Sequence, residues 1–132
     1  MRFEQELKSV VETNDDGVLK FDIILLGMGS DGHTASIFPH EIELLDSPKF
    51  CAVATHPESG QKRISLTGQV INQGRNVFFL VTGQSKASVL AEIINRTGAF
   101  ESYPTTRIVF FGENGELGER IFYLDEAAAS AL

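Results

Sequence analysis

The chain has 132 residues, 42% of them hydrophobic, and a formal net charge of −7 at pH 7, which suits a single domain, residues 1–132, with a buried core. The acidic charge argues against binding to nucleic acid or to an acidic membrane surface, so any anionic ligand must be held by local cations or backbone N–H groups. The single cysteine, Cys51, excludes an intrachain disulfide, and with no membrane-length apolar run and no signal peptide it predicts a cytoplasmic protein.

The first half of the chain is predicted to open on a helix and to continue into strands joined by a glycine-rich loop. The nearly continuous apolar character of residues 20–26 indicates a central parallel strand that is covered on both faces. In chain order, the predicted elements are a helix over 2–12, the strand over 20–26, a short helical turn over 35–38 that Pro39 ends, and a strand over 50–55.

The second half alternates strands and helices. Its predicted elements are a short strand or extended lead over 63–67, a helix over 67–73, a strand over 76–82, a helix over 85–95, strands over 107–111 and 121–124, and a closing Ala-rich helix capped by Asp125. This alternation predicts an α/β fold with a mostly parallel, Rossmann-like layered sheet and helices on both faces. Because the chain opens on a helix that leads straight into a strand of the central type, we expect the sheet to be incomplete on its N-terminal side.

The loop after the first strand places glycines, an acid, an imidazole and hydroxyls within a few residues. Gly27, Gly29 and Gly32 match the spacing of the dinucleotide-binding fingerprint. That fingerprint also needs a helix that opens at the loop and an acid at the end of the next strand. Pro39 cuts the helix short and the strand end at 53–55 has no acid, so nucleotide binding is rejected.

His33 is the strongest catalytic candidate in this loop. Asp31 lies two positions earlier, and a nearby carboxylate fixes the tautomer of an imidazole and supports its protonated form, as a general acid or base requires. The alternative is a loop histidine whose ring only hydrogen-bonds to nearby backbone. Ser30 and Ser36 lack the context of a catalytic triad, which argues against a covalent serine mechanism.

Arg63 and Lys86 are the candidate anion-binding residues. In the pair Lys62-Arg63, one side chain is expected to point inward and the other to be solvated. Lys86 is expected at a junction of strand and helix, where free N–H groups and the helix dipole already favour an anion. Both Arg63 and Lys86 are interpreted as lying at carboxyl ends of strands. The alternative is that each is an ordinary solvated surface charge.

The other polar residues carry weaker signals. Cys51 lies in an apolar run and is expected to be a buried, inert thiol. His40 and His56 have no convincing partners, and no set of His, Cys and acidic residues has metal-ligand spacing, so no metal site is predicted. The acids Glu113, Glu116 and Glu119 are expected in a solvated loop.

Several segments together resemble the 6-phosphogluconolactonase family, which shares its fold with glucosamine-6-phosphate isomerases. The loop over 27–39, GMGSDGHTASIFP, is similar to the family signature almost residue for residue. Segments 63–67 and 81–87, with the elements at 103–104 and 125–128, resemble further parts of the family pattern. The match covers nearly the whole chain.

The resemblance implies hydrolysis of 6-phosphoglucono-δ-lactone to 6-phosphogluconate in the oxidative pentose phosphate pathway, with no metal, no cofactor and no covalent intermediate. His33 would act as general base on a water molecule, and Asp31 would orient it. Loop N–H groups around Gly29 would help to hold the oxyanion. Arg63 and Lys86 would bind the phosphate and so position the lactone ring.

Family members carry an N-terminal half with a Ser-Gly-Gly-type phosphate loop that has no counterpart here, so the chain resembles the C-terminal half of the enzyme. We expect the missing half to impair activity, and an exposed sheet edge to favour homo-oligomers. Two alternatives stay open. One is a relative of the glucosamine-6-phosphate isomerase/deaminases, which the continuation at 34–36 disfavours. The other is a sugar-phosphate-binding module without catalysis.

Overall fold

The computed structural model describes residues 1–112 and 119–132, in which four α-helices, a three-stranded sheet and a two-stranded sheet are formed. The α-helices are α1 (Arg2–Val10), α2 (Gly68–Asn72), α3 (Ala87–Asn95) and α4 (Pro104–Val109). The strands are β1 (Ile23–Leu26), β2 (Cys51–Thr55), β3 (Lys62–Leu66), β4 (Asn76–Val81) and β5 (Arg120–Leu124). Short 3₁₀ segments cover Pro39–Asp46, Gln84–Lys86 and Phe100–Ser102.

The larger sheet is parallel, with β4 between β1 and β5. Parallel neighbours need long crossover connections, and the segment between β1 and β4 holds a 3₁₀ segment, the antiparallel pair β2–β3 and α2. The predicted α/β class, a mostly parallel sheet flanked by helices, is therefore confirmed.

The core lies on one face of this sheet. From β4, the alternate residues Val77, Phe79 and Val81 are fully buried, as expected for one side of a pleated strand. From α3, Leu90 and Ile93 join the same apolar cluster; they are three residues apart and therefore share one side of the helix. Complete burial of such a side chain stabilises the fold by about 1.5–3 kcal/mol.

The opposite face of the sheet is open. Ile23 and Leu25 of β1 are 57% and 66% exposed, and Leu80 of β4 and Tyr123 of β5 are 51% and 55% exposed. Among the described strands, β1 pairs only with β4 and is an edge strand. The prediction of a central first strand covered on both faces is therefore wrong, and in the described residues the predicted helices do not cover this second face of the sheet. All four residues of β1 are apolar, so their pattern did not distinguish an edge strand with one open face from a buried one.

Two prolines begin helical segments in places where the sequence was interpreted differently. Pro39 is the first residue of its 3₁₀ segment, and does not end a helical turn over 35–38. Pro104 is the first residue of α4, so the strand predicted over 107–111 is wrong. Proline is favoured at the first helical position, because its missing N–H has no partner to lose there and its φ is already helical.

The end of the chain forms turns, and the predicted Ala-rich helix is wrong. The Ala129 N–H donates to the carbonyl four residues earlier, whereas the N–H groups of Ser130 and Leu132 donate to carbonyls three residues earlier. These bonds form turns and not a continuous α-helix. Asp125 still makes the predicted capping contact, because its Oδ1 accepts the backbone N–H three residues on at 2.8 Å. Of the acids expected in a solvated loop, Glu119 is exposed, whereas Glu113 and Glu116 lie outside the described residues.

Candidate active site

The candidate site is built on the loop that leaves the carboxyl end of β1. The Gly29 N–H donates to the His33 carbonyl at 2.9 Å, and the Gly32 N–H donates to the Gly29 carbonyl at 3.0 Å. Gly32 has a φ of +82°, a left-handed conformation that glycine adopts without strain. These contacts fold the loop back on itself and bring the side chains of residues 31 and 33 together.

Asp31 and His33 form a hydrogen-bonded pair of carboxylate and imidazole. Oδ1 of Asp31 lies 2.6 Å from Nδ1 of His33 and accepts the His33 backbone N–H at 3.0 Å. Partial burial raises the pKa of Asp31, but the hydrogen bonds from His33 and its charge outweigh this effect and lower the net pKa. A carboxylate on this side keeps the ring proton on Nδ1 and leaves Nε2 of the neutral ring as the basic atom. The predicted contact between the two side chains is confirmed.

Gly29 leaves the space that the imidazole occupies. A Cβ at this position would lie 2.2 Å from both Cε1 and Nδ1 of His33, and 2.7 Å from Oδ1 of Asp31. The N–H of Gly29 itself is not available to hold an oxyanion, because it already donates to a carbonyl within the loop. The expectation that the N–H of Gly29 helps to hold the oxyanion is therefore corrected. Gly29 instead makes room for the His33 ring because it has no side chain.

Side chains from distant segments hold the loop in place. Thr105 of α4 donates both its hydroxyl and its N–H to the Gly32 carbonyl, at 2.8 and 3.1 Å. Ser65 of β3 accepts the N–H of Ser36 at 3.0 Å. Both supports were missed in the sequence because each partner lies far along the chain, 73 and 29 residues away.

Lys86, the last residue of the 3₁₀ segment before α3, contacts the same loop. Its Nζ donates to the Met28 carbonyl at 2.8 Å. Gly29, His33 and Lys86 line one cavity of about 420 Å³, with Ala35 and the residues at the end of β1, a size within the usual range of small-molecule sites. The predicted placement of Lys86 at a junction of strand and helix is confirmed.

Arg63 lies on the hairpin of β2 and β3 and does not line that cavity. It is the second residue of β3, opposite Ala54, so it lies near the amino end of its strand and the expected carboxyl-end position is wrong. Its guanidinium carbon is 6.0 Å from the centre of the Phe38 ring. Lys62 lies on the other face of the hairpin and donates to the Thr55 hydroxyl at 2.6 Å. The prediction that one of these two cations points inward is confirmed, and the inward one is Arg63.

Phe38 joins the loop to the hairpin. Its side chain is fully buried, and the rings of His33, His40 and His56 lie 4.7, 5.9 and 5.3 Å from its own, measured between centroids. The Phe38 ring therefore packs against all three histidines of the chain and lies near the guanidinium of Arg63. The sequence indicated no role for Phe38, because its contacts depend on how the hairpin packs.

The remaining predictions concern the thiol, metals and membranes. Cys51 is free and buried as predicted, and burial raises the pKa of its thiol. Within residues 1–112 and 119–132, no group of three His, Cys, Asp or Glu side chains is arranged to hold a metal ion. No helix in those ranges has the length and apolar character needed to cross a membrane.

Known proteins are similar to this chain in sequence and in fold. The sequence model of the family described as glucosamine-6-phosphate isomerases/6-phosphogluconolactonase matches residues 1–117. A 6-phosphogluconolactonase of Treponema pallidum is 61% identical over 77 residues, which are 58% of this chain and 32% of that protein. A 6-phosphogluconolactonase of Haemophilus influenzae is 44% identical over 131 residues, which are 99% of this chain and 52% of that protein.

A solved structure gives the same result in three dimensions. The 6-phosphogluconolactonase from Trypanosoma brucei superposes with a TM-score of 0.79 at 32% identity, and the match covers 99% of this chain and 51% of that chain. The chain thus spans about half the length of this structure and of the Haemophilus relative, and its 77-residue match to the Treponema relative covers about a third of that protein.

Proposed function

We propose that this chain, which belongs to the glucosamine-6-phosphate isomerase/6-phosphogluconolactonase family, hydrolyses 6-phosphoglucono-δ-lactone to 6-phosphogluconate in the oxidative pentose phosphate pathway. The observation that carries the proposal is the pair of Asp31 and His33, in which a carboxylate 2.6 Å from Nδ1 leaves Nε2 as the basic atom of a ring that lines the cavity. The names of the relatives above favour the lactonase over the isomerase reaction.

In the proposed reaction His33 acts as a general base. Its Nε2 takes a proton from water while the water oxygen forms a bond to the lactone carbonyl carbon. Asp31 stays ionised, in agreement with its lowered pKa, and stabilises the imidazolium through the Nδ1–H bond. The tetrahedral intermediate then breaks the ring C–O bond, and the proton on Nε2 passes to the departing ring oxygen. General-base catalysis contributes about 10²–10⁴-fold in rate.

We assign the phosphate of the substrate to Lys86 and Arg63. Lys86 uses one N–H on the Met28 carbonyl, and an ammonium group has three donors, so Lys86 can contact an anion without leaving the loop. The planar guanidinium of Arg63 suits bidentate contact with phosphate. Its position over Phe38, the ring on which His33 also packs, supports a shared ligand.

The test is the decay of fresh 6-phosphoglucono-δ-lactone with the purified 132-residue chain, measured against spontaneous hydrolysis. We expect a rate above background that is lost in His33→Asn, lowered in Arg63→Ala and retained in Lys62→Ala. Lys62 is the matched control, because it neighbours Arg63 in sequence but faces the opposite side of the hairpin. Catalysis that survives in His33→Asn would contradict the assignment of the base.

Binding of a sugar phosphate without turnover is the second candidate, favoured by Lys86 at the cavity and by Arg63 over Phe38. The contacts assigned to Lys86 and Arg63 do not require the chemical step. In that case 6-phosphogluconate binds the chain, binding weakens in Lys86→Ala, and lactone decay stays at the background rate. Measuring affinity and turnover on the same preparation separates the two candidates.

We further propose that the chain self-associates through the open side of its sheet. The unpaired edge of a strand and a contiguous apolar face both favour association, and Ile23, Leu25, Leu80 and Tyr123 are all more than half exposed. Light scattering is expected to show dimers or larger species, which Leu25→Lys shifts toward the monomer. A unique monomeric species of the unmodified chain would refute this proposal.

The single cysteine indicates the redox state of the cell compartment in which the chain is found. Cys51 is free and buried, and chains of oxidising compartments usually pair their cysteines. We therefore propose a reducing, cytoplasmic location, which cell fractionation followed by detection of the chain would test.

A further inference from the structure

His56 has a fixed orientation at the end of β2. Its N–H donates to the Gln61 carbonyl at 2.9 Å, which closes the hairpin. Its ring Nδ1 accepts the backbone N–H groups of Glu58 and Ser59, at 3.3 and 3.2 Å. Because Nδ1 is an acceptor in both contacts, the neutral ring carries its proton on Nε2. His56 therefore presents an N–H donor on the side of the ring away from the turn.

His56 and Arg63 share one face of the hairpin. Arg63 lies opposite Ala54, and the bond from His56 to Gln61 continues the hairpin pairing one residue beyond β2. Side chains two residues apart in such a pairing point to the same face, so His56 lies on the face of Ala54 and Arg63. Diagonal neighbours of this kind lie about 7–8 Å apart, within reach of long and aromatic side chains. Both residues contact Phe38, His56 with its ring edge-to-face and Arg63 with its guanidinium.

We propose that His56 is a further phosphate-binding residue, whose Nε2–H donates to the same anion that Arg63 holds. The inference rests on the proposed function, because it takes the phosphate of the substrate as its ligand. One face of the hairpin would then present two donors to the phosphate, the planar guanidinium of Arg63 and the Nε2–H of His56. The fixed tautomer means that His56 can donate to a phosphate without first gaining a proton.

His40 provides the internal control. Its ring also packs on Phe38, at 5.9 Å between centroids. However, its Nε2 lies 3.3 Å from Oε1 of Glu41, so a carboxylate occupies the position where an anion would bind. Replacing His40 by phenylalanine therefore removes an imidazole from the same aromatic cluster without removing a donor that faces the ligand. His56→Phe keeps the edge-to-face contact with Phe38 and removes the donor, whereas His56→Gln keeps an N–H close to the position of Nε2.

The experiment is an NMR titration of the full chain with 6-phosphogluconate, inorganic phosphate and gluconate, with thermal unfolding measured for every variant. We expect His56→Phe to weaken binding of 6-phosphogluconate and of phosphate about tenfold, the loss of one hydrogen bond to a charged group at a partly exposed site. His40→Phe is expected to leave both affinities unchanged, and His56→Gln to recover most of the loss. Gluconate, which lacks the phosphate, is expected to bind equally well to His56→Phe and to the unmodified chain.

Several outcomes would overturn the inference. Unchanged phosphate affinity in His56→Phe, or an equal loss in His40→Phe, would show that His56 makes no specific contact. A matching loss for gluconate would place His56 at the other end of the ligand. If Arg63→Ala weakens phosphate binding and His56→Phe does not, only this inference fails. If the unmodified chain binds none of the three probes, the proposed phosphate site fails with it.

Discussion

Replacing Gly29 by alanine places a methyl group where the His33 ring now lies. The added Cβ would lie 2.2 Å from two ring atoms of His33, whereas ordinary contacts of this kind are 3.4–4 Å long. The backbone of Gly29 does not have a positive φ, so alanine is compatible with its conformation. The substitution therefore acts through the clash alone, and the ring must retreat by more than an ångström.

The clash also reaches the partner of His33. The same Cβ would lie 2.7 Å from Oδ1 of Asp31, so the pair cannot keep its 2.6 Å contact in place. A misplacement of about 1 Å in a catalytic group costs on the order of 100-fold in rate, which corresponds to about 2.7 kcal/mol in the activation free energy. We expect kcat for the lactone to fall by about this factor, with little loss of stability because His33 is only partly buried.

The assay combines initial rates of lactone hydrolysis with NMR of the His33 ring, whose Nδ1–H signal reports the contact with Asp31. Gly27→Ala is the matched control, because a Cβ there meets nothing within 4 Å. Its His33 signal is expected to be unchanged. The reasoning is refuted if Gly29→Ala keeps the Nδ1–H signal and a rate within about threefold of the unmodified chain, or if Gly27→Ala disturbs the ring equally.

Three further predictions concern binding, stability and pH. Lys86→Ala is expected to raise KM for the lactone at least about tenfold with little change in kcat, because it removes a charge-assisted hydrogen bond worth about 1.5–3 kcal/mol; a fall in kcat alone would instead place Lys86 in the chemical step. Arg120→Ala is expected to lower the free energy of unfolding by at least about 2 kcal/mol in urea titrations, since this partly buried guanidinium donates to three backbone carbonyls of α2, α4 and the turn after α2, at 2.8–3.3 Å. An unchanged urea midpoint would show that water replaces those contacts. The carboxyl of Asp31 is expected to titrate below the ordinary pKa of about 3.9, so its contribution to stability is present above that pH and is lost as the pH falls through the lowered folded pKa. In ¹³C NMR its midpoint should rise in His33→Asn, and a fall would show that His33 does not lower it.

The parts of the fold that could be predicted depend on short-range patterns. The helix α3 follows from apolar residues at three-to-four-residue spacing, and the strand β4 follows from the continuous apolar run 77–81; neither pattern needs a partner to be recognised. The run 108–111 is continuously apolar as well, but it forms the end of a helix and a turn. There the first helical turn is set by Pro104, and the contact of Thr105 with Gly32 holds α4 against a loop 73 residues away. Neither the proline that begins the helix nor the contact with Gly32 lies within the run 108–111, so the run alone did not indicate a helix.

The site shows the same division. Asp31 and His33 are two residues apart, so the loop itself brings them together and their pairing could be predicted. The grouping of His56 and Arg63 around Phe38 depends on the packing of the hairpin against the loop, and no local pattern records it. The edge position of β1 could not be predicted either, because a strand's own residues do not say how many neighbours it has.

The uniformly apolar β1 has a consequence for how the chain chooses its strand alignment. A shift of a strand by one residue normally exposes its apolar side to water, which costs free energy. In β1 such a shift would only replace the buried pair Ile24 and Leu26 by Ile23 and Leu25. Polar contacts at and beyond the strand ends then contribute to the alignment: Asn76 donates to the Asp22 carbonyl at 3.1 Å and Lys86 to the Met28 carbonyl at 2.8 Å. We therefore expect that a substitution of Lys86 made to weaken phosphate binding also removes a constraint against a misaligned sheet.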